Sequence, residues 1–219
     1  MGLGSGYNET NVTDALNDLN TYATNLFTNL ENDFKTFVNT ISEHWASPYA
    51  VKVMRGPSDG ETKCVKDALK SIIDNAESTF KSINASINSA ATVKAEENGA
   101  IFNKVAYRPY TQTTSFDSIV DNINGDVGVD KDEALSAANT LSLSDYTTEF
   151  NNIRNCLSKS GILSIAVQEA LNTSISTINS GIKTDINNIV TAVKDYIVKT
   201  VNVNGDSDGK IKQAFTLSE

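Results

Sequence analysis

Apolar residues form one long stripe at helical spacing in the first part of the chain. They follow each other by three or four positions and are Val12, Leu16, Leu19, Tyr22, Leu26, Leu30, Phe34, Phe37, Ile41 and Trp45. This spacing places them on one face of an α-helix. Residues 9–47 contain neither Gly nor Pro, and Asn8 or Asn11 is suited to cap the first turn. The pattern therefore predicts one long helix that reaches the turn at Trp45.

Two further stripes predict two more long helices. The stripe in residues 61–98 consists of Val65, Leu69, Ile72, Ala76, Phe80, Ile83, Ile87 and Ala90. The stripe in residues 162–201 consists of Ile165, Leu171, Ile175, Ile178, Ile182, Ile186, Ile189, Val193 and Ile197. Gly99 is placed to end the earlier helix, because glycine readily adopts the left-handed conformation of a helix C-terminus. A shorter stripe of Tyr146, Phe150, Ile153 and Leu157 predicts a helix capped by Ser144.

The segments between the stripes contain the turn signals. Ser47 is a suitable N-cap and Pro48 is tolerated in a first helical turn, so residues 49–54 are predicted as a short helix. Residues 56–60 combine two Gly with a Pro and break any helix. Residues 99–143 sustain no period, and we predict an irregular connector with short helices.

Together these elements predict an all-α fold, an elongated helical hairpin packed with a further long helix as an antiparallel helical bundle. The predicted order is a flexible leader at 1–8, a helical hairpin with a Trp-x-Ser turn at 9–98, the connector at 99–143, a C-terminal helical segment at 144–202 and a polar tail at 203–219. Ile178 and Ile182 are expected to face apolar partners in this bundle.

The charge of the chain narrows the classes of partner. The formal net charge is −9, so the chain repels a phosphate backbone, and we expect no nucleic-acid partner. The longest apolar run is only a few residues, so no membrane insertion is expected. The first residues lack a positive segment followed by an apolar one, which predicts no cleavable signal peptide.

Few residues suggest chemistry. The chain has one His and two Cys without tight spacing, and we expect no enzyme activity, no cofactor and no transition-metal site. Asn204, Asp206 and Asp208 match the front half of a calcium loop, but Phe215 stands where a bidentate Glu is needed. A solvated acidic turn is the first interpretation, and a weak calcium site is the alternative. Cys64 and Cys156 fit reduced thiols or a disulfide.

One short motif suggests a family. Trp45-Ala46-Ser47 follows the first long helix, and residues 48–54 continue as Pro-Tyr-Ala-Val-Lys-Val-Met. This part of the chain resembles the Trp-x-Gly family of small helical-hairpin proteins exported by type VII secretion systems, with Ser47 where glycine is usual. The resemblance covers roughly residues 10–98. It implies a helical hairpin whose turn holds Trp45 and Ser47 and whose second helix places residues such as Tyr49 on its inner face.

Two functions fit these features. The first is a non-enzymatic module for protein–protein interaction, resembling a type VII secretion substrate or partner, which binds a protein partner or forms a homo-oligomer through helical faces. It would be secreted without a cleavable signal peptide. The alternative is a structural component of a bacteriophage-like particle, located in the virion. An enzyme is the third possibility, and a cytoplasmic location also stays open.

Overall fold

A computed structural model of the chain describes residues 7–56, 64–123 and 128–204, and for 202–204 the main chain alone. The helices are α1 (Glu9–Ser42), α2 (Pro48–Arg55), α3 (Val65–Glu97), α4 (Thr114–Asp121), α5 (Lys131–Ala138), α6 (Thr147–Lys159) and α7 (Ile165–Asn204). A 3-10 turn covers Leu141–Leu143, and two short strands are β1 (Trp45–Ala46) and β2 (Gly128–Val129). The protein is therefore an all-α assembly of packed helices, as the hydrophobic periodicity predicts.

Helix α1 has the predicted start and an earlier end. The side chain of Asn8 caps it by accepting a hydrogen bond of 3.1 Å from the backbone N–H of Asn11. The apolar stripe from Val12 to Ile41 is buried, except for the half-buried Tyr22. The helix ends at Ser42, so the prediction that Trp45 belongs to the helical stripe is wrong. Trp45 lies in a short extended segment instead, because its backbone pairs with β2, and its side chain is buried.

Local signals set the ends of the next two helices. Ser47 caps α2 through a bond of 3.0 Å from the Ala50 N–H to its hydroxyl, Pro48 opens the helix, and Gly56 with φ 84° follows its last residue. Both ends agree with the prediction. Helix α3 begins at Val65, four residues after the predicted start, and residues 57–63 lie outside the described part. Gly99 ends α3 with φ 68°, as predicted.

The chain forms two compact units that share the long helices. Unit 1 comprises Met1–Asn29, Ile73–Thr111 and Asp145–Ile182. Unit 2 comprises Leu30–Ile72, Gln112–Ser144 and Lys183–Glu219. Helices α1, α3 and α7 thus each contribute one part to each unit.

Unit 1 has an aromatic core between its helices. Phe80 of α3 lies with its ring centre 5.8 Å from Phe27 of α1 and 6.4 Å from Phe150 of α6. Such separations suit favourable tilted pairs of aromatic rings. Ile182 of α7 is buried and Ile178 is half-buried.

Unit 2 contains the short helices of the predicted connector. Phe116 of α4 packs edge-on against Phe34 of α1 at 6.3 Å, and three alanines of α5 are buried. Ser144 follows the 3-10 turn and does not cap the next helix, so that prediction is wrong. The N-cap of α6 is Tyr146, and the carboxylate of Asp145 before it accepts a bond of 3.1 Å from the Thr147 N–H in the first turn.

Candidate functional site

The turn after α1 is held by a two-residue sheet in unit 2. Trp45 and Ala46 pair antiparallel with Val129 and Gly128. The N–H of Asp130 extends this pairing by donating to the carbonyl of His44 over 2.8 Å. These backbone bonds fix the direction of the Trp45 side chain. Trp45 is buried, with only 1% of its surface exposed.

The polar atoms of the turn converge on one hydroxyl of α7. The indole Nε1–H of Trp45 donates to Oγ1 of Thr200 over 3.0 Å. The Ser47 hydroxyl lies 3.5 Å from the same Oγ1. Thr200 in turn donates to the Tyr196 carbonyl over 2.9 Å. The turn thus joins α2 and α7 with its buried donors satisfied, as a buried Trp requires.

Tyr49 lies at the outer side of this turn. Its ring is half-buried and sits 5.7 Å from the ring of Tyr196. The ammonium of Lys199 lies 4.6 Å from the centre of the Tyr196 ring, a cation–π distance. The structure therefore brings the three predicted residues Trp45, Ser47 and Tyr49 together, and gives the first two a buried structural position.

Thr200 is the residue of this cluster that sequence reasoning missed. It continues the apolar stripe of α7 three residues after Ile197 and seven after Val193. A lone hydroxyl at a core-facing position is the signal that could have identified it, because buried polar side chains carry a hydrogen-bond partner.

A second cluster, in unit 1, was not predicted. Residues 101–111, which we call the strap, follow Gly99 and form neither helix nor strand. Asn88 of α3 donates to the Val105 carbonyl over 2.9 Å and accepts from the Val105 N–H over 3.0 Å. Asn20 of α1 donates to the Ala106 carbonyl over 3.0 Å and accepts from the Arg108 N–H over 2.8 Å. Each amide thus pairs with main-chain groups as a neighbouring strand would.

Two further buried side chains complete this cluster. Asn84 donates to the Val105 carbonyl over 3.1 Å and accepts from Asn88 over 2.9 Å. Glu77 accepts from the Tyr110 N–H over 2.6 Å and forms an ion pair of 2.8 Å with Lys81. We call Asn20, Glu77, Asn84 and Asn88 the clamp. Its members are all buried polar residues, and no sequence signal distinguishes them from exposed polar residues of the same helices.

Unit 2 contains one similar contact, in which a buried carboxylate accepts a hydrogen bond from the main chain. Glu31 is buried, accepts from the backbone N–H of Thr113 over 3.0 Å and also accepts from the Thr113 hydroxyl. Lys35 pairs with it at 2.7 Å. The charge assistance of the lysine strengthens such bonds.

An apolar groove opens on the surface of unit 1. It has a volume of about 630 Å³ and lies between the last turns of α3 and the first turns of α7. Val93 and Val167 line it and are exposed, and Ile165 beside them is 76% exposed. The Lys94–Glu97 ion pair at its rim is neutral overall. Clustered exposed apolar residues of this kind mark interaction surfaces.

The last candidates are metal ligands and reactive thiols. No group of three or more His, Cys, Asp or Glu able to hold a metal occurs in the described ranges. Of the calcium candidates, Asp206 and Asp208 lie outside those ranges, and the Asn204 side chain does too. Cys64 and Cys156 are free, buried thiols. Burial raises the pKa of both, to about 12 for Cys156, which disfavours the reactive thiolate.

Comparison with other proteins does not test the predicted family. No protein-family model, curated protein or solved structure matches this chain. The resemblance to the Trp-x-Gly family therefore stays a prediction from residues 45–54. Among the described residues, no helix has the length and apolar character needed to cross a membrane.

Proposed function

We propose that this protein is a non-enzymatic helical module that acts by protein–protein interaction and self-associates. The observation that carries the proposal is the groove of unit 1, where Val93 and Val167 are exposed to water, with the exposed Ile165 two residues before Val167 on the same helix. Covering such residues is favourable at roughly 25 cal/mol per Å² of apolar surface. A second copy offers a protruding Ile165 to the same groove, which is the arrangement that a two-fold interface requires.

The turn of unit 2 supports the narrower proposal of a type VII substrate or partner. A long helix ends before Trp45, and a helix with buried Ala50 and half-buried Tyr49 follows Ser47. This order of elements is similar to the Trp-x-Gly pattern. On this proposal the protein is secreted without a cleavable signal peptide. The buried turn stabilises the module, and the groove binds the partner.

The mass of the protein in solution tests the proposal. We expect a small defined oligomer by light scattering, and a monomer after Ile165→Asp with unchanged helicity. Leu143→Asp in unit 2 is the matched control, because Leu143 is 81% exposed and lies away from the groove in sequence. A monomeric wild-type protein would contradict self-association. A ring or sheath of many copies would instead favour the structural component of a bacteriophage-like particle.

A further inference from the structure

We propose that two copies of this protein pair through helix α7, antiparallel to each other and with the two-fold axis at Ser174. The inference rests on the proposed function, because it names the helix through which the module self-associates. The occupant is a second copy of this chain, and the contact lies within the part of α7 that belongs to unit 1. We call this contact the α7 face. Its members lie at helical spacing along one side of α7 and are Val167, Ala170, Leu171, Ser174, Thr177, Ile178 and Gly181.

The α7 face is an apolar edge that reaches solvent. Val167 is exposed and also lines the groove of unit 1, so the face continues the surface already proposed for self-association. Leu171 and Ile178 are half-buried. The hydroxyls of Ser174 and Thr177 donate to carbonyls one turn earlier in α7, over 3.2 and 3.0 Å. Because these hydroxyls have acceptors within the helix, a second copy can cover them without leaving a donor unpaired.

The α7 face is complementary to itself when its direction is reversed. At equal distances before and after Ser174, a larger side chain always corresponds to a smaller one. In an antiparallel pair with its axis at Ser174, each larger side chain therefore lies over the smaller residue of the other copy. Large residues facing small ones let two helices interdigitate, and the contact is closed because both copies use the same surface. The three pairs are Val167 with Gly181, Ile178 with Ala170, and Leu171 with Thr177.

Gly181 supports this pairing because packing within its own copy does not require a glycine. It lies inside α7 and does not adopt a positive φ. A Cβ at this position would meet nothing within 4 Å. Glycine inside a helix destabilises the helix relative to alanine. The pairing gives the glycine a reason, since the open space above it accommodates Val167 of the second copy.

The absence of charge on this part of α7 favours a second copy as the partner. Residues 170–182 contain no Asp, Glu, Lys or Arg, although the chain has a formal net charge of −9. Two copies of an acidic chain repel each other wherever their charged surfaces meet. An uncharged face lets the copies touch without placing like charges side by side, whereas a charged partner would find no complementary charge there.

Cross-linking at the two-fold axis is the first test. Ser174→Cys places two thiols next to each other in the paired helices, so a short bismaleimide should link most of the protein into dimers. Thr173→Cys is the matched control, because Thr173 is exposed on another side of α7. The wild type, whose Cys64 and Cys156 are buried, should give no cross-link. Equal yields for Ser174→Cys and Thr173→Cys would overturn the proposal.

A mixture of two variants tests the direction of the pairing. In the antiparallel register, Val167→Cys of one copy lies over Gly181→Cys of the other. After subunit exchange between a tagged and an untagged variant, the mixed cross-linked product should therefore dominate over the two products that each variant forms with itself. If each variant cross-links with itself instead, the helices run parallel and the proposal is wrong.

A larger side chain at Gly181 separates association from folding. A Cβ there has open space within its own copy, and leucine favours a helix more than glycine does. Gly181→Leu should therefore retain the Tm of the dilute protein, while it raises the Kd of self-association by about tenfold or more, because it blocks Val167 of the second copy. Thr173→Leu is the control and should change this Kd by less than about twofold. Sedimentation measures both values, and an unchanged Kd for Gly181→Leu would refute the pairing.

The outcomes separate this inference from the groove contact of the proposed function. A wild-type protein that stays monomeric refutes self-association and the α7 pairing together. An oligomer without preferential cross-linking at Ser174 refutes the α7 pairing alone. If Ile165→Asp still forms a dimer that cross-links through Ser174→Cys, the α7 pairing is supported and the insertion of Ile165 into the groove is refuted.

Discussion

The Trp45 turn and the strap are both non-helical segments on helices, but they are held in opposite ways. In the turn, the segment inserts its own side chain, and Trp45 packs into unit 2 with its indole N–H on Thr200. In the strap, side chains of the helices bond the main chain of the segment, while its own Phe102 is buried and its Tyr110 ring lies 5.4 Å from Phe27. The difference teaches that a non-helical segment can be fixed either by one buried side chain with a satisfied donor or by buried amides that bond its main chain.

Trp45→Ala should produce the largest loss of stability. Removing a fully buried aromatic side chain costs about 3–5 kcal/mol through lost burial and the cavity that remains. Urea unfolding followed by circular dichroism measures the loss. Trp45→Phe is the control, since it keeps much of the packing and should be clearly milder. A loss below about 1 kcal/mol for Trp45→Ala would show that the turn is not anchored by this side chain.

Asn88→Ala should have the next largest effect. It leaves the N–H and carbonyl of Val105 without this partner, at a cost of about 1–3 kcal/mol. Asn75→Ala is the matched control on the same helix, because Asn75 is exposed and should change stability by less than about 0.5 kcal/mol. Equal effects of the two substitutions would mean that the clamp contributes nothing beyond helix propensity.

Thr200→Val should cost less than either change. The substitution keeps the shape of the side chain and leaves one buried donor, the Trp45 indole N–H, without its acceptor, so we expect about 1–2 kcal/mol, in the lower part of the range for an unpaired buried group. Thr200→Ser retains the hydroxyl and separates the hydrogen bond from the packing of the methyl group. If Thr200→Ser is as destabilising as Thr200→Val, packing and not the hydrogen bond connects the turn to α7.

Cys156 gives the smallest effect and reports on the core of unit 1. Burial raises its pKa from 9 to about 12, so the unfolded chain ionises first as the pH rises. The thiol's contribution to stability is complete below pH 9 and is lost progressively towards pH 12, with less than about 1 kcal/mol lost by pH 9.5. Comparing Cys64→Ala with the double variant Cys64→Ala/Cys156→Ala isolates this slope.

Hydrophobic periodicity predicted the helices because a helix that buries one face needs apolar residues at helical spacing. The helix ends at Asn8, Ser47 and Gly99 followed from local capping chemistry. Long-range pairing explains the errors. Helix α1 stops before Trp45 because β1 pairs with residues far along the chain, and no local pattern contains that partner. The proximity of Trp45, Ser47 and Tyr49 was expected from the turn. The burial of Thr200 could have been inferred from the stripe of α7, but its pairing with Trp45, over 150 positions away, could not.

The clamp escaped prediction for a related reason. Asn20, Asn84 and Asn88 occur in a chain rich in Asn, where their positions alone do not distinguish them from exposed amides such as Asn75. What distinguishes them is the strap, whose main chain has no sequence signature. Side chains that recognise main chain can be assigned only when both segments are placed in space.

The pairing of Trp45 with Val129 also has a kinetic consequence. It closes a loop from residue 45 to residue 129 through a two-residue sheet, so much chain entropy is lost for a few bonds. Helices with local contacts form first, and contacts of large sequence separation follow more slowly. In a refolding experiment, the indole fluorescence of Trp45 should therefore change after the helical circular dichroism signal has returned. The only tryptophan of the chain thus reports a late step in its folding.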